Sequence, residues 1–329
     1  MTRNLRARSQ LLLLENVPIV LLVILFATFS LVRPDFLSIR TVELLADQVA
    51  ITGILAVGMT FVLLTAGIDL SVGATMYLCA VAMARLLGDG DVLVAVAICL
   101  LVGTIVGLVN GVLVTRLRVV PFVVTLATLF VARGVGQSIT QSRLVTFPEQ
   151  VTALSTQTIL GLPVVPLIFA VILLAGHVIL TRTTFGRQIY AVGHNPEAAV
   201  RAGISRDRVL IGAYIACAAC AAIAGLVAAA QQSVAQNNFG EGKEFDAISA
   251  AVLGGVSLFG GRGRILPGTL VGAVLIALVA HGLTFVGLDI YLQPLVTAAI
   301  IFLAVLLDSV RNGRLLQLRR RYIRPAASL

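Results

Sequence analysis

The sequence predicts an all-α integral membrane protein of about ten transmembrane helices, and three observations predict it. Hydrophobic residues make up 59% of the 329 and charged residues 12%, where a soluble domain carries roughly 45–50% and ~25%. The apolar residues gather in runs suited to a bilayer core of ~30 Å, which takes about 20 helical residues. The arginines concentrate in alternate connections between those runs, as cytoplasmic loops do. A soluble fold this poor in charge would expose large apolar patches and aggregate. Soluble enzymes, disordered regulators and fibrous proteins are thereby excluded.

The basic start, residues 1–16, leads into a first span at 17–32. Its apolar stretch is too long for a cleaved signal peptide, and no small-x-small cleavage site follows. Further spans are expected at 49–66, 72–87, 92–114, 122–139, 163–180, 209–230, 247–260, 265–286 and 290–307, before a basic tail at 309–329. The third and eighth are short and abut Gly-rich breaks. With Arg3, Arg6 and Arg8 in the cytoplasm, alternation also places there Arg116, Arg118, the 181–208 loop, Arg262, Arg264 and the tail. That side then holds 18 of the 24 Lys and Arg. Asp89, Asp91, the 140–162 segment and the 231–246 loop with Lys243 fall outside, and Arg133 lies within a span. The whole chain reads as one transmembrane domain with both termini cytoplasmic. The net charge of +9 follows from this topology rather than from nucleic-acid binding.

Catalytic motifs are missing. The chain has no G-x-x-x-x-G-K-[ST] phosphate loop, no H-E-x-x-H and no G-x-S-x-G. His177, His194 and His281 are far apart, and no metal cluster is formed in sequence. Cys217 and Cys220 make a C-x-x-C, but within an Ala-rich helical run it reads as small residues at a helix contact. Intramembrane ionisable residues mark ion relays, and here they are few, notably Arg133 and, where a span breaks, Asp69. A proton- or sodium-driven carrier usually needs more.

Three constellations carry information. Gly67-Ile68-Asp69-Leu70-Ser71-Val72-Gly73 joins spans two and three, with Asp69 and Ser71 able to accept from the amides that start the next helix. It is either a capped tight turn or a broken helix lining a polar path, since irregular backbone at membrane depth survives only inside protein or beside water. Gly254 to Gly263 repeats the theme half a chain later, which suggests two related halves with a pathway between them. The 181–208 loop contains Asn195-Pro196-Glu197, an N-cap, a first-turn proline and an acidic first turn, with Gly203 as the stop. The short helix between them carries apolar Ala199 and Val200, with Ile204 beyond its stop, and is shaped to sit in a groove on a partner protein.

At these residues the chain resembles the membrane subunit of bacterial ABC-type importers of the ribose/xylose/galactose permease family, a type II importer-like permease. The likeness rests on G-I-D-L-S-V-G at 67–73, P-F-V-V-T-L-A-T at 121–128, A-R-G at 132–134, the loop from Thr183 to Ile204, and D-A-I-S-A-A-V-L-G-G-V-S-L-F-G-G-R-G at 246–263. Ala74 stands where Ser is commoner, and His281-Gly282 where Asn-Gly is common. The resemblance implies a pair of permeases, identical or paralogous, in the bacterial inner membrane. A separate ATPase with two nucleotide-binding modules would hold ATP and Mg, and a periplasmic binding protein would deliver a pentose or hexose. This chain would bind no cofactor itself. Its ATPase-coupling residues would be Phe185, Gly186, Arg187, Asn195, Glu197, Ala198, Ala199, Gly203 and Ile204. Its substrate pathway would draw on Asp69, Ser71, Asn110, Thr125, Gln137 and Ser257, with Phe122 and Phe259 available for stacking because Trp is absent. A branched-chain amino-acid permease and a gradient-driven carrier stand as alternatives.

Overall fold

A computed structural model describes residues 17–289, together with 291–293, 295–299, 302, 303 and 306. Backbone contacts divide the chain into two units, residues 38–277 and residues 1–37 with 278–329. In the smaller unit, α1 (Val17–Val32) is followed by a 3-10 turn at Pro34–Leu37. Phe36 is buried among Phe26, Phe29, His281 and Phe285, with ring centroids 5.4–5.9 Å apart, the spacing of edge and offset aromatic contacts. Gly282 leaves the space that the Phe29 ring fills.

The larger unit is organised around α2 (Ile39–Leu64), buried on every side from Val49 to Leu64. It begins ten residues before the expected span at 49. The Ser38 hydroxyl accepts from the Thr41 amide at 3.2 Å and sets that earlier start. At 1.5 Å per residue the helix is ~39 Å long, so its first turns can project beyond the hydrocarbon. Next come α3 (Val72–Leu86), α4 (Val92–Arg116) and α5 (Pro121–Thr140). Asp91 caps α4 by accepting from the Leu93 and Val94 amides, and proline opens α5.

The 140–162 segment, between the expected fifth and sixth spans, is structured. It holds β1 (Val145–Thr146), α6 (Glu149–Thr152), a 3-10 turn at Ala153–Ser155 and a small hairpin of β2 (Thr158–Ile159) and β3 (Leu162–Pro163). Then come α7 (Val164–Arg182), α8 (Thr184–His194), α9 (Pro196–Arg201) and α10 (Arg206–Gln232). The α10 helix crosses α4 closely, because Gly103, Gly107 and Gly111 line up every four residues. A Cβ at these positions would stand 2.7–2.8 Å from Ala218 O, Ile215 Cα and Ile211 Cα. Small residues at such spacing let helix backbones approach in a membrane. On another face of α10 the Cys220 side chain and the Cys217 backbone pack on Gly58 of α2, and both cysteines are free thiols.

After α10, β4 (Val234–Ala235) pairs antiparallel with β1, Val145 opposite Ala235. The eighth span, expected at 247–260, is corrected by α11 (Lys243–Leu253), which is 11 residues long. At ~16 Å that helix covers about half a bilayer core. It stops because Gly255, Gly260, Gly261 and Gly263 all take positive φ, a conformation open to glycine and incompatible with a continuing helix. The chain then turns through Ile265–Thr269 into α12 (Leu270–Val286). Among the described residues six helices are long and apolar enough to cross a membrane, with two shorter apolar helices at Pro18–Val32 and Val72–Leu86. The span at 290–307 is described only in part, and residues 1–16 and 309–329 lie outside the described residues.

Candidate functional site

Between α2 and α3 the chain leaves helical geometry from Thr65 to Ser71, and Ala66 takes a left-handed φ of 61°. Asp69 is fully buried there. Its Oδ1 accepts from the Ser71 amide at 2.9 Å and the Ser71 hydroxyl at 2.6 Å. The expected helix cap is thus an Asx turn instead: Ser71 occupies the cap position of α3 and makes no side-chain cap bond. Asn110 of α4 donates from Nδ2 to the Ser71 hydroxyl at 2.9 Å and accepts at Oδ1 from Thr128 of α5 at 2.6 Å. Thr125, one turn earlier on α5, donates to Ile68 O of the break at 3.3 Å and to Pro121 O at 3.1 Å. These bonds therefore tie α4 and α5 to the break. The Cys217 thiol of α10 lies beside the buried Asp69 carboxylate, and the Tyr214 hydroxyl of α10, buried without a hydrogen-bond partner, lies 2.9 Å from the point a Cβ on Gly67 would occupy.

The remaining pathway candidates lie apart from this network. Phe122 is exposed one turn before Thr125, and Gln137 sits three turns beyond it toward the other end of α5. Ser257 and Phe259 belong to the glycine turn after α11, where the Phe259 amide donates to the Ser257 hydroxyl at 3.2 Å and the Phe259 ring is 90% exposed. Sequence reasoning placed Arg133 within a span but gave it no role in the site. From α5 its guanidinium donates to Asn237 O at 3.0 Å and Phe239 O at 2.6 Å, and it stacks 5.1 Å over Tyr77. The available signal was a lone cation inside an apolar helix.

The 181–208 segment holds two helices rather than one. Thr183 caps α8 by accepting from the Gly186 amide, and Phe185 packs on Gly212. Gly186 is buried against the carbonyls of Ile179 and Leu180, while Arg187 is exposed. Asn195 caps α9 as expected, accepting from the Ala198 amide at 3.0 Å, with Pro196 first in the helix and Gly203 at φ 83°. The expected docking face needs correcting. Ala199 is 4% exposed and Ile204 packs on the core, whereas Val200 is 54% exposed. Ala199 and Ile204 point inward because α9 needs an apolar anchor on the protein it folds against. The outward face is Glu197, Ala198, Val200 and Arg201, with Glu197 and Arg201 paired at 3.6 Å in open solvent.

Two contacts missed from the sequence join this segment to both irregular turns. The Tyr190 hydroxyl donates to Gly263 O at 2.9 Å. Gly193 lies in contact with Leu64 O, the last carbonyl of α2, and that carbonyl accepts from the Gly261 amide at 2.9 Å. Burial pushes the Tyr190 phenol up, opposed by the nearby Arg264 guanidinium, so the hydroxyl keeps its proton. Among the described residues no three His, Cys, Asp or Glu side chains gather as a metal site.

A family described as "Branched-chain amino acid transport system / permease component" matches residues 41–306. The chain belongs to this permease family. It is 39% identical over 306 residues to the ribose import permease protein RbsC of Escherichia coli strain K12, covering 91% of this chain and 95% of that protein. The ribose import permease protein RbsC of Bacillus subtilis strain 168 is 38% identical, with 90% and 93% covered. The autoinducer 2 import system permease protein LsrC of Photorhabdus luminescens is 35% identical, with 92% and 90% covered. No solved structure matches. The motifs at 67–73, 121–134, 183–204 and 246–263 all lie within the matched range of this permease family.

Proposed function

We propose that this chain is the transmembrane permease subunit of an ABC importer for a ribose-like monosaccharide. The observation that carries the reading is 39% identity across 95% of a ribose import permease. The branched-chain amino-acid alternative has the family description behind it, while the individual relatives are named for ribose and for autoinducer 2. The polar chain from Asp69 through Ser71 and Asn110 to Thr128 suits a pathway wall, because buried hydroxyl and amide groups can exchange partners with sugar hydroxyls when the helices part.

In this reading the chain crosses the inner membrane ten times as two related halves, the eighth crossing made by α11 and the glycine turn that follows it, with both termini in the cytoplasm. Two permeases, identical or paralogous, enclose the path. A periplasmic binding protein delivers the sugar, and a partner ATPase with two nucleotide-binding modules holds ATP and Mg. The outward face of α9 and the exposed Arg187 meet that ATPase. Motion of α8 and α9 reaches the pathway through Tyr190 on Gly263 and Gly193 on Leu64, the residue at which the Asp69 break begins. The test is uptake of radiolabelled ribose into proteoliposomes holding this chain. Uptake should require ATP, the ATPase and the binding protein together. Uptake by the chain alone under a proton or sodium gradient would overturn the reading.

A further inference from the structure

A second polar site lies away from the Asp69 network. Between the end of α5 and the connection from β4 to α11 is a cavity of about 330 Å³, lined by Ser142, Arg143, Leu144, Gln236, Asn237 and Asn238. That volume is at the small end of ligand sites, enough for one monosaccharide and some water. Five of the six lining side chains are polar, and no carboxylate is among them. Amide, hydroxyl and guanidinium groups together offer donors and acceptors in close succession, which is what neighbouring hydroxyls of a sugar need.

The two sides of the cavity are tied together by one lining side chain. Asn237 donates from Nδ2 to Ser142 O at 3.3 Å, while its Oδ1 is buried with no partner. The backbone beneath is fixed by Arg133, which takes the carbonyls of Asn237 and Phe239, and by the pairing of β1 with β4. On the opposite wall Gln141 and Ser142 stand at φ 53° and 55°. Consecutive left-handed non-glycine residues are uncommon, and such strain gathers at ligand clamps and switches. Leu144 is the one apolar lining residue, so no aromatic ring is available for stacking.

We propose that this cavity is a weak receiving site for the hydroxyls of a pentose-sized sugar at the outer mouth of the pathway. The inference rests on the importer reading for the identity of its ligand and the side it faces. Weakness suits the role, because a site on a conduction path must release what it admits.

The test uses the full chain in lipid nanodiscs, without ATPase or binding protein, titrated with D-ribose and followed by saturation-transfer NMR. Half-saturation should fall in the millimolar range. Asn238→Ala and Arg143→Gln, both surface side chains, should each raise it about two- to tenfold, the loss of one hydrogen bond. Gln157→Ala, exposed outside the cavity, should leave it unchanged. Equal half-saturation in wild type and both variants would overturn the proposal. So would displacement of ribose by inorganic phosphate, which would mark an anion site. Unchanged ribose titration with lost capture of the binding protein would make the cavity a docking surface instead. ATPase retention on the same tagged variants is read separately. Its failure in the wild type would count against the importer, while the ribose titration alone decides the cavity.

Discussion

At the scale of single residues, Asn110 is where the polar network is most sensitive. It is fully buried, donates to Ser71 and accepts from Thr128, so its amide bridges α3 and α5 from α4. Asn110→Ala removes both bonds and leaves the Thr128 hydroxyl without that acceptor. Hydrogen bonds between membrane helices average ~0.6 kcal/mol and reach ~1.7, so the expected loss is about 1–3 kcal/mol in unfolding of the solubilised permease. Asn110→Asp keeps the acceptor for Thr128, loses the donor to Ser71 and brings a second carboxylate near Asp69, and should be the more harmful variant. An Asn110→Ala protein with unchanged unfolding would show that the network contributes nothing to the fold. The sequence made Asn110 and Asp69 visible as polar residues amid apolar runs. It could not show that they share Ser71, because that contact joins residues 39 positions apart.

At the scale of elements, local chemistry was legible where it was self-contained. Asn195, Pro196 and Gly203 specify the start and stop of α9 by capping and backbone preference alone, and the structure follows them. Which face of α9 turns outward was not legible. Six residues make less than two turns, and an alanine reads alike in a core or at an interface. The same limit hid α8, whose polar and apolar residues resemble an ordinary loop until Tyr190 and Gly193 find their partners. The α11 helix was placed too late and too long because apolar character continues through Val256 and Leu258, while the glycines that end it act through φ. The two faces of α9 give a paired prediction. Ala199→Asp buries a charge against the core and should cost expression and stability, at a few kcal/mol. Val200→Asp places the charge on the open face and should leave folding intact while releasing a tagged ATPase in copurification. Full ATPase retention by Val200→Asp would remove α9 from the contact.

At the scale of the whole molecule, the two irregular turns lie far apart in sequence yet meet at one carbonyl, Leu64 O, which touches Gly193 and accepts from Gly261. Tyr190 adds the second tie, to Gly263. Motion of α8 is thereby expected to reach the Asp69 break and the glycine turn together rather than one after the other. Tyr190→Phe tests this with little disturbance, since it removes one hydroxyl from a half-buried ring. A lost hydrogen bond of ~0.5–1.5 kcal/mol should lower ribose transport about two- to tenfold. ATPase retention and basal hydrolysis should stay as in the wild type, so that more ATP is spent per sugar. The pH dependence supplies a control. A free tyrosine titrates near pH ~10, and burial raises Tyr190 further. The bond is therefore fully present below pH ~10 and is lost only as pH rises through the elevated folded value. Wild-type coupling should then be flat from pH ~6 to ~9 as far as this residue is concerned, and the Tyr190→Phe deficit should be equally flat. A deficit confined to one end of that range would assign the effect to another group. A Tyr190→Phe complex with wild-type ATP use per sugar would leave Gly193 against Leu64 as the contact that carries the motion.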